Sequence, residues 1–106
     1  MEPSRIEILQ QTLQRAPENA FARYALALEL SRSSEPLRAW EHFEHLLVHQ
    51  PDYAPVYLQA GLYLMKQGRP DEARKVLHKG IEVNNRQGNL HAQSELEAAL
   101  EDLSAE

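Results

Sequence analysis

Three histidines, His42, His45 and His49, are the residues of this chain best spaced for chemistry. At i, i+3 and i+7 they project from one side of a helix. Imidazoles at that spacing can bind zinc or nickel. No carboxylate or cysteine completes a ligand set on the stripe, and Arg38, on the same side, opposes a cation. The stripe therefore reads as a solvated outer face, and no metal ligand is assigned. Other chemistry is no better served. There is no cysteine, which excludes disulfides and thiolate nucleophiles. The 4 glycines sit at turns or packing positions, not in a phosphate-binding loop, and no spacing of Ser and His suggests a nucleophile elbow. No catalytic or cofactor-binding residue is assigned, no cofactor is implied, and the chain reads as a non-enzyme.

Elements that could carry these residues are helical. Ile6, Leu9 and Leu13 lie on one face, so residues 3–15 make an amphipathic first helix. Pro17 disfavours helical geometry at Ala16 and ends it. A second helix runs from about 20 to 32. Ser33-Ser34-Glu35 is a turn, and Pro36 opens a third helix that continues to about His49. Gln50-Pro51-Asp52 closes it. A fourth helix spans about 54–67 and stops at Gly68, suited to a left-handed cap. Pro70 opens the fifth, with Asp71 and Glu72 where the helix dipole favours acids. It reaches about Val83, and Asn84-Asn85-Arg86-Gln87-Gly88-Asn89 is the last connection. Ala92, Leu96, Ala99, Leu100 and Leu103 mark a final helix over 89–103. No linker is long enough to divide domains, so residues 1–106 read as one domain.

Composition sets the outer bounds. A chain of 106 residues with 42% hydrophobic content can bury a core. With 16 acidic against 11 basic residues and a net charge of −5, it is poorly suited to gripping nucleic acid. The apolar-rich stretches around 20–30 and 56–65 are broken by Arg23, Glu29 and Gln59 and are too short to span a membrane. No signal-peptide pattern follows Met1-Glu2-Pro3-Ser4. A cysteine-free chain of this kind fits a reducing compartment, and the expected location is cytoplasmic.

A repeat organises the helices. Pro17 returns as Pro51, Ala20 as Ala54, Pro36 as Pro70 and Ala39 as Ala73, each pair differing by 34 (51 − 17, 54 − 20, 70 − 36, 73 − 39). Leu30 and Leu64, Ala27 and Gly61, Phe43 and Leu77, and Leu47 and Ile81 keep the same offset. That period is the mark of a helix-turn-helix repeat. The second unit carries Tyr57, Ala60-Gly61, Leu64, Ala73 and Leu77, and the first Leu26-Ala27, Leu30, Ala39, Phe43 and Pro51. In this the chain resembles the tetratricopeptide repeat (TPR) family. The resemblance covers 17–85 well and the flanking helices loosely. It departs at Arg23, where an aromatic is expected, at Ser34 in place of glycine, and at Asn85 in place of proline. The implied fold is all-α, a right-handed superhelical stack of antiparallel helix pairs, an α-solenoid of about six helices. Repeat 1 would be 20–51, repeat 2 54–85, and 89–103 a capping helix.

In this family ligands usually lie in a concave groove lined by the first helix of each pair. The matching stripes here are Phe21, Tyr24, Ala25, Leu28 and Arg32, and Pro55, Leu58, Gln59, Leu62 and Lys66. Leu26, Ala27, Leu30 and Ala60, Gly61, Leu64 form the opposite stripes, packed within each pair, so both helices are apolar nearly all round. The implied function is a protein-interaction module or adaptor that binds a partner's amphipathic helix or apolar peptide, with Arg32 and Lys66 flanking the strip. The same stripes could instead pack between repeats or be covered by the last helix. The family's lysine-asparagine-arginine carboxylate clamp is not matched, since Tyr24, Leu28, Gln59 and Leu62 occupy the positions. Basic residues gather between Lys66 and Arg86, and acidic ones between Glu95 and Glu106. The alternative is thus a self-associating structural module, a weak homo-oligomer with its groove filled by another copy or by its own last helix.

Overall fold

The computed structural model describes residues 2–105. Its elements are α1 (Arg5–Arg15), α2 (Ala20–Ser31), a 3-10 turn (Pro36–Arg38), α3 (Ala39–His49), α4 (Val56–Lys66), α5 (Pro70–Arg86) and α6 (Leu90–Ser104). No strand occurs among the described residues. The expected all-α class with about six helices is what the chain adopts. The helices gather into two compact units that meet in sequence at Tyr53 and Ala54.

In the first unit, α2 packs against α1 and α3. Ala22, Ala25, Leu26, Ala27 and Leu30 of α2, Ala39, Phe43 and Leu46 of α3, and Leu13 of α1 are buried. Side-chain caps set where two helices begin. The Ser4 hydroxyl accepts from the Glu7 N–H at 3.2 Å, which starts α1 at Arg5 and not at residue 3. Asn19 Oδ1 accepts from the Ala22 N–H at 2.9 Å and starts α2. Each such cap contributes about 1 kcal/mol by satisfying an orphan helix donor.

The second unit packs α4 on α5 and α6 on both. Its core is Val56, Tyr57, Ala60, Tyr63 and Leu64 of α4, Ala73, Leu77 and Val83 of α5, and Leu96, Ala99 and Leu103 of α6. Two glycines make close helix approach possible. A Cβ on Gly61 would lie 2.5 Å from Leu77 Cδ2 and 2.8 Å from its Cγ. One on Gly80 would collide with Tyr57 Cβ and lie 3.0 Å from Tyr57 Cγ.

Repeat 2 is closed more tightly than repeat 1. Gly68 adopts φ 74, as its place after α4 implies, and the chain bonds back through Arg69 N–H to Leu64 O at 2.9 Å and Gly68 N–H to Met65 O at 3.1 Å. In repeat 1 Ser34 holds the matching position, and no residue other than glycine takes a positive φ among those described. Serine hydroxyls do the capping there: Ser31 Oγ donates to Leu28 O and Ser33 Oγ to Leu30 O, each at 2.7 Å.

Two boundary expectations are corrected. Pro36 does not open an α-helix: Pro36–Arg38 is a 3-10 turn and α3 begins at Ala39. In α5 the first turn carries Asp71 and Glu72, and Arg69 grips Glu72 at 2.8 and 2.6 Å. The matching places in repeat 1 hold Leu37 and Arg38, and a cation there opposes the helix dipole. At the other end, α5 runs through Arg86, so Asn84, Asn85 and Arg86 are helical and not part of a connection. Buried Asn84 secures that last turn by donating to Gly80 O at 2.8 Å and accepting from Asn89 Nδ2 at 3.2 Å. Gly88, at φ 77, then ends the helix, with Asn89 N–H bonded to Asn84 O at 2.8 Å. The remaining boundaries (α2 at Ser31, α4 from Val56, α6 Leu90–Ser104) differ from expectation by one or two residues.

Candidate functional site

The α2 stripe is graded in exposure. Phe21 is 66% exposed, Tyr24 and Leu28 are half-buried, Ala25 is buried and Arg32 is open to solvent. Tyr24 lies edge-on to Tyr53, ring centroids 5.7 Å apart. Burial, and then the neighbouring Tyr53, push the Tyr24 phenol above its usual range, so it remains a neutral hydrogen-bonding group. Arg32 Nη2 lies 3.2 Å from Glu29 Oε1, and Glu29 also holds Arg5 Nε at 2.8 Å. The cation at the end of the stripe is therefore already partly neutralised.

On α4, Pro55 and Lys66 are exposed, Leu58 and Gln59 half-buried, and Leu62 is 40% exposed. The opposite stripes behave as expected: Leu26, Ala27, Leu30, Ala60 and Leu64 are each at most 1% exposed. Each helix thus buries one apolar stripe and leaves a second partly open.

The histidine stripe is not the solvated face expected. Only His49 is exposed. His42 and His45 are half-buried, and His42 Nδ1 lies 3.2 Å from Arg23 Nη1 on α2. The ring of His45 sits 4.6 Å from that of His49. The cause is Arg23, which fills the aromatic position of repeat 1 and reaches past α2, its Nη2 donating to Pro17 O at 3.1 Å. No group of three His, Cys, Asp or Glu that could hold a metal ion exists among the described residues.

Two shallow clefts lie apart from the stripes. One, of about 390 Å³, is lined by Ala20, His49, Gln50, Pro51, Asp52 and Tyr53. The other, of about 490 Å³, is lined by His78, Glu97, Leu100, Glu101, Ser104 and Ala105. Neither brings a nucleophile, a base and an oxyanion donor together. Sequence reasoning missed Tyr53 and Gln50, whose Nε2 donates to Glu18 O at 3.1 Å. The only signal was an aromatic directly after Pro51-Asp52.

Three basic residues of the second unit have acidic partners three residues away. Arg69 pairs with Glu72 at 2.6 Å, Arg74 with Asp71 at 2.7 Å and Lys79 with Glu82 at 3.6 Å. No helix among the described residues is long and apolar enough to cross a membrane.

No protein-family model and no curated protein matches the sequence. Solved structures do. A TPR domain protein from Salinibacter ruber, seen in solution, is 35% identical, with 84% of this chain and 90% of that one covered and a TM-score of 0.79. A crystal structure of a TPR domain protein from the same organism is 34% identical over 81% of this chain and 97% of that one, with a TM-score of 0.77. A protein from Bordetella parapertussis, solved in solution, shares the fold at a TM-score of 0.82, with 22% identity over 98% of this chain and 90% of that one. The 34-residue period, the two buried helix pairs and this likeness together make the chain a member of the TPR family.

Proposed function

We propose that the protein is a non-enzymatic adaptor that binds a protein partner through the open stripes of α2 and α4. TPR folds generally mediate protein–protein interaction. The ligand proposed here is an amphipathic helix or apolar peptide that covers an open stripe: Phe21, Tyr24 and Leu28 in the first unit, Leu58 and Leu62 in the second. Ala25, Pro55 and Gln59 shape the surface beside them, and Arg32 and Lys66 flank it. The observation that carries the reading is Phe21, a large aromatic 66% exposed on a helix whose other apolar face is already buried. Covering such a side chain contributes about 1.5–3 kcal/mol, enough for a few residues of this kind to hold a peptide. Action in the cytoplasm, without nucleic acid, membrane or cofactor, belongs to the same proposal.

Peptide display against the immobilised protein tests this. Selected sequences should share apolar residues at helical spacing and should lose binding to a Phe21→Glu/Leu62→Glu variant of unchanged helicity. Binders that bind that variant equally well would move the site elsewhere. A molecular mass that rises with concentration in the absence of peptide would favour self-association instead.

A further inference from the structure

Arg23 occupies on α2 the place that Tyr57 takes in the second unit. It carries a permanent charge, so it must donate. Its Nη1 meets His42 Nδ1 at 3.2 Å, which makes that nitrogen the unprotonated acceptor and leaves the imidazole proton on Nε2. Any second proton on His42 must enter at Nδ1. It would abolish the hydrogen bond and set two cations 3.2 Å apart. Two further polar atoms in the same cluster, Arg23 Nε and His45 Nδ1, are enclosed without a hydrogen-bond partner.

We propose that this cluster makes the first unit acid-sensitive: protonation of His42 and His45 against Arg23 loosens α3 from α2 while the second unit holds. The groups facing His42 are Arg23 from α2, Arg38 from the 3-10 turn, and Glu41 and His45 on α3. Those facing His45 are Arg23, His49 and, from the α1–α2 connection, Glu18. Burial first, then Arg23, holds both imidazoles below 6.5, and the two carboxylates do not reverse the balance. The unfolded chain takes up protons near 6.5, whereas the folded unit resists them. Stability is accordingly full above that pH and is lost as pH falls through the lowered folded values. The second unit has Tyr57, Val76 and Lys79 at the corresponding positions, and its His78 and His91 are exposed.

Native-state amide exchange on the whole protein, corrected for intrinsic pH dependence, tests the proposal at about pH 7.5 and about pH 5, either side of ordinary histidine titration. Protection in α2 and α3 should fall severalfold in acid, while that in α4 and α5 should hold. In a His42→Gln/His45→Gln variant the α2–α3 loss should disappear. Equal losses in both units, no loss in the first, or a wild-type loss retained by the variant would overturn it. Should the variant not fold, NMR titration of the wild-type imidazoles decides. His42 and His45 should titrate below the ordinary imidazole value of about 6.5, and either one titrating at or above it contradicts the proposal.

Discussion

Substituting Gly80 by alanine should destabilise the protein even though alanine is the better helix former. In the middle of α5 the exchange gains about 0.5–1 kcal/mol from backbone entropy and propensity. Against that stands the space. The new methyl would collide with Tyr57 Cβ, and it would lie 3.0 Å from Tyr57 Cγ and 3.1 Å from Leu96 Cδ2. A Cβ–Cβ collision cannot be relieved by a rotamer change, because Cβ moves only with its backbone. Helix α4 must therefore retreat from α5, and overpacking of that kind costs about 1–3 kcal/mol. The clash wins, by about 1–2 kcal/mol. At about 4–8 °C per kcal/mol for a domain of this size, the thermal midpoint should drop by about 4–16 °C. Urea and thermal unfolding followed by circular dichroism would measure it. Gly61→Ala is the built-in comparison, since its methyl meets the movable end of Leu77 and repeat 1 has Ala27 at the matching position. It should cost less. A Gly80→Ala protein as stable as wild type, or more so, would refute the claim that α4 and α5 are in contact at Gly80.

Other substitutions probe the local devices. Asn19→Ala removes the side-chain acceptor for the Ala22 N–H and should lower stability by about 1 kcal/mol in urea titration, with Asn19→Ser recovering most of it. At Gly68 and Gly88 a Cβ would meet nothing within 4 Å, so any cost of alanine there comes from φ 74 and φ 77 alone. Each should cost about 1–2 kcal/mol by thermal unfolding, and D-alanine at the same sites should restore wild-type behaviour. Asn84→Ala deletes two side-chain hydrogen bonds in a residue 1% exposed and should cost about 1–3 kcal/mol. Exchange protection should then fall first at the C-terminal turn of α5.

What the sequence made legible was the part written in short-range, repeating chemistry. Pro17, Pro51 and Pro70 marked helix boundaries, small residues at 27, 61, 39 and 73 marked the helix contacts, and Gly68 marked its own left-handed cap. What escaped lay outside that repeating pattern. The 3-10 turn at Pro36 coincides with Leu37 and Arg38 standing where repeat 2 has Asp71 and Glu72, a difference that proline alone does not report. The extra length of α5 rests on Asn84, a polar residue whose burial no local pattern announces. His42 and His45 read as solvated because polar residues usually are, whereas Arg23, 19 residues before His42, turns them into a half-buried cluster. The stripes of α2 and α4 could be placed by helical spacing. The ligand proposed for them could not, because an apolar surface specifies shape and hydrophobicity but no single sequence.

The central claim, that α2 and α4 present the binding surface, is tested most directly by amide chemical-shift mapping. Isotope-labelled protein would be titrated with a peptide obtained by display. The largest shifts should fall on α2 around Phe21, Tyr24 and Leu28 and on α4 around Leu58 and Leu62, and should vanish in Phe21→Glu/Leu62→Glu. Shifts concentrated on α6 or around His78 and Glu101, with α2 and α4 unmoved, would contradict the account.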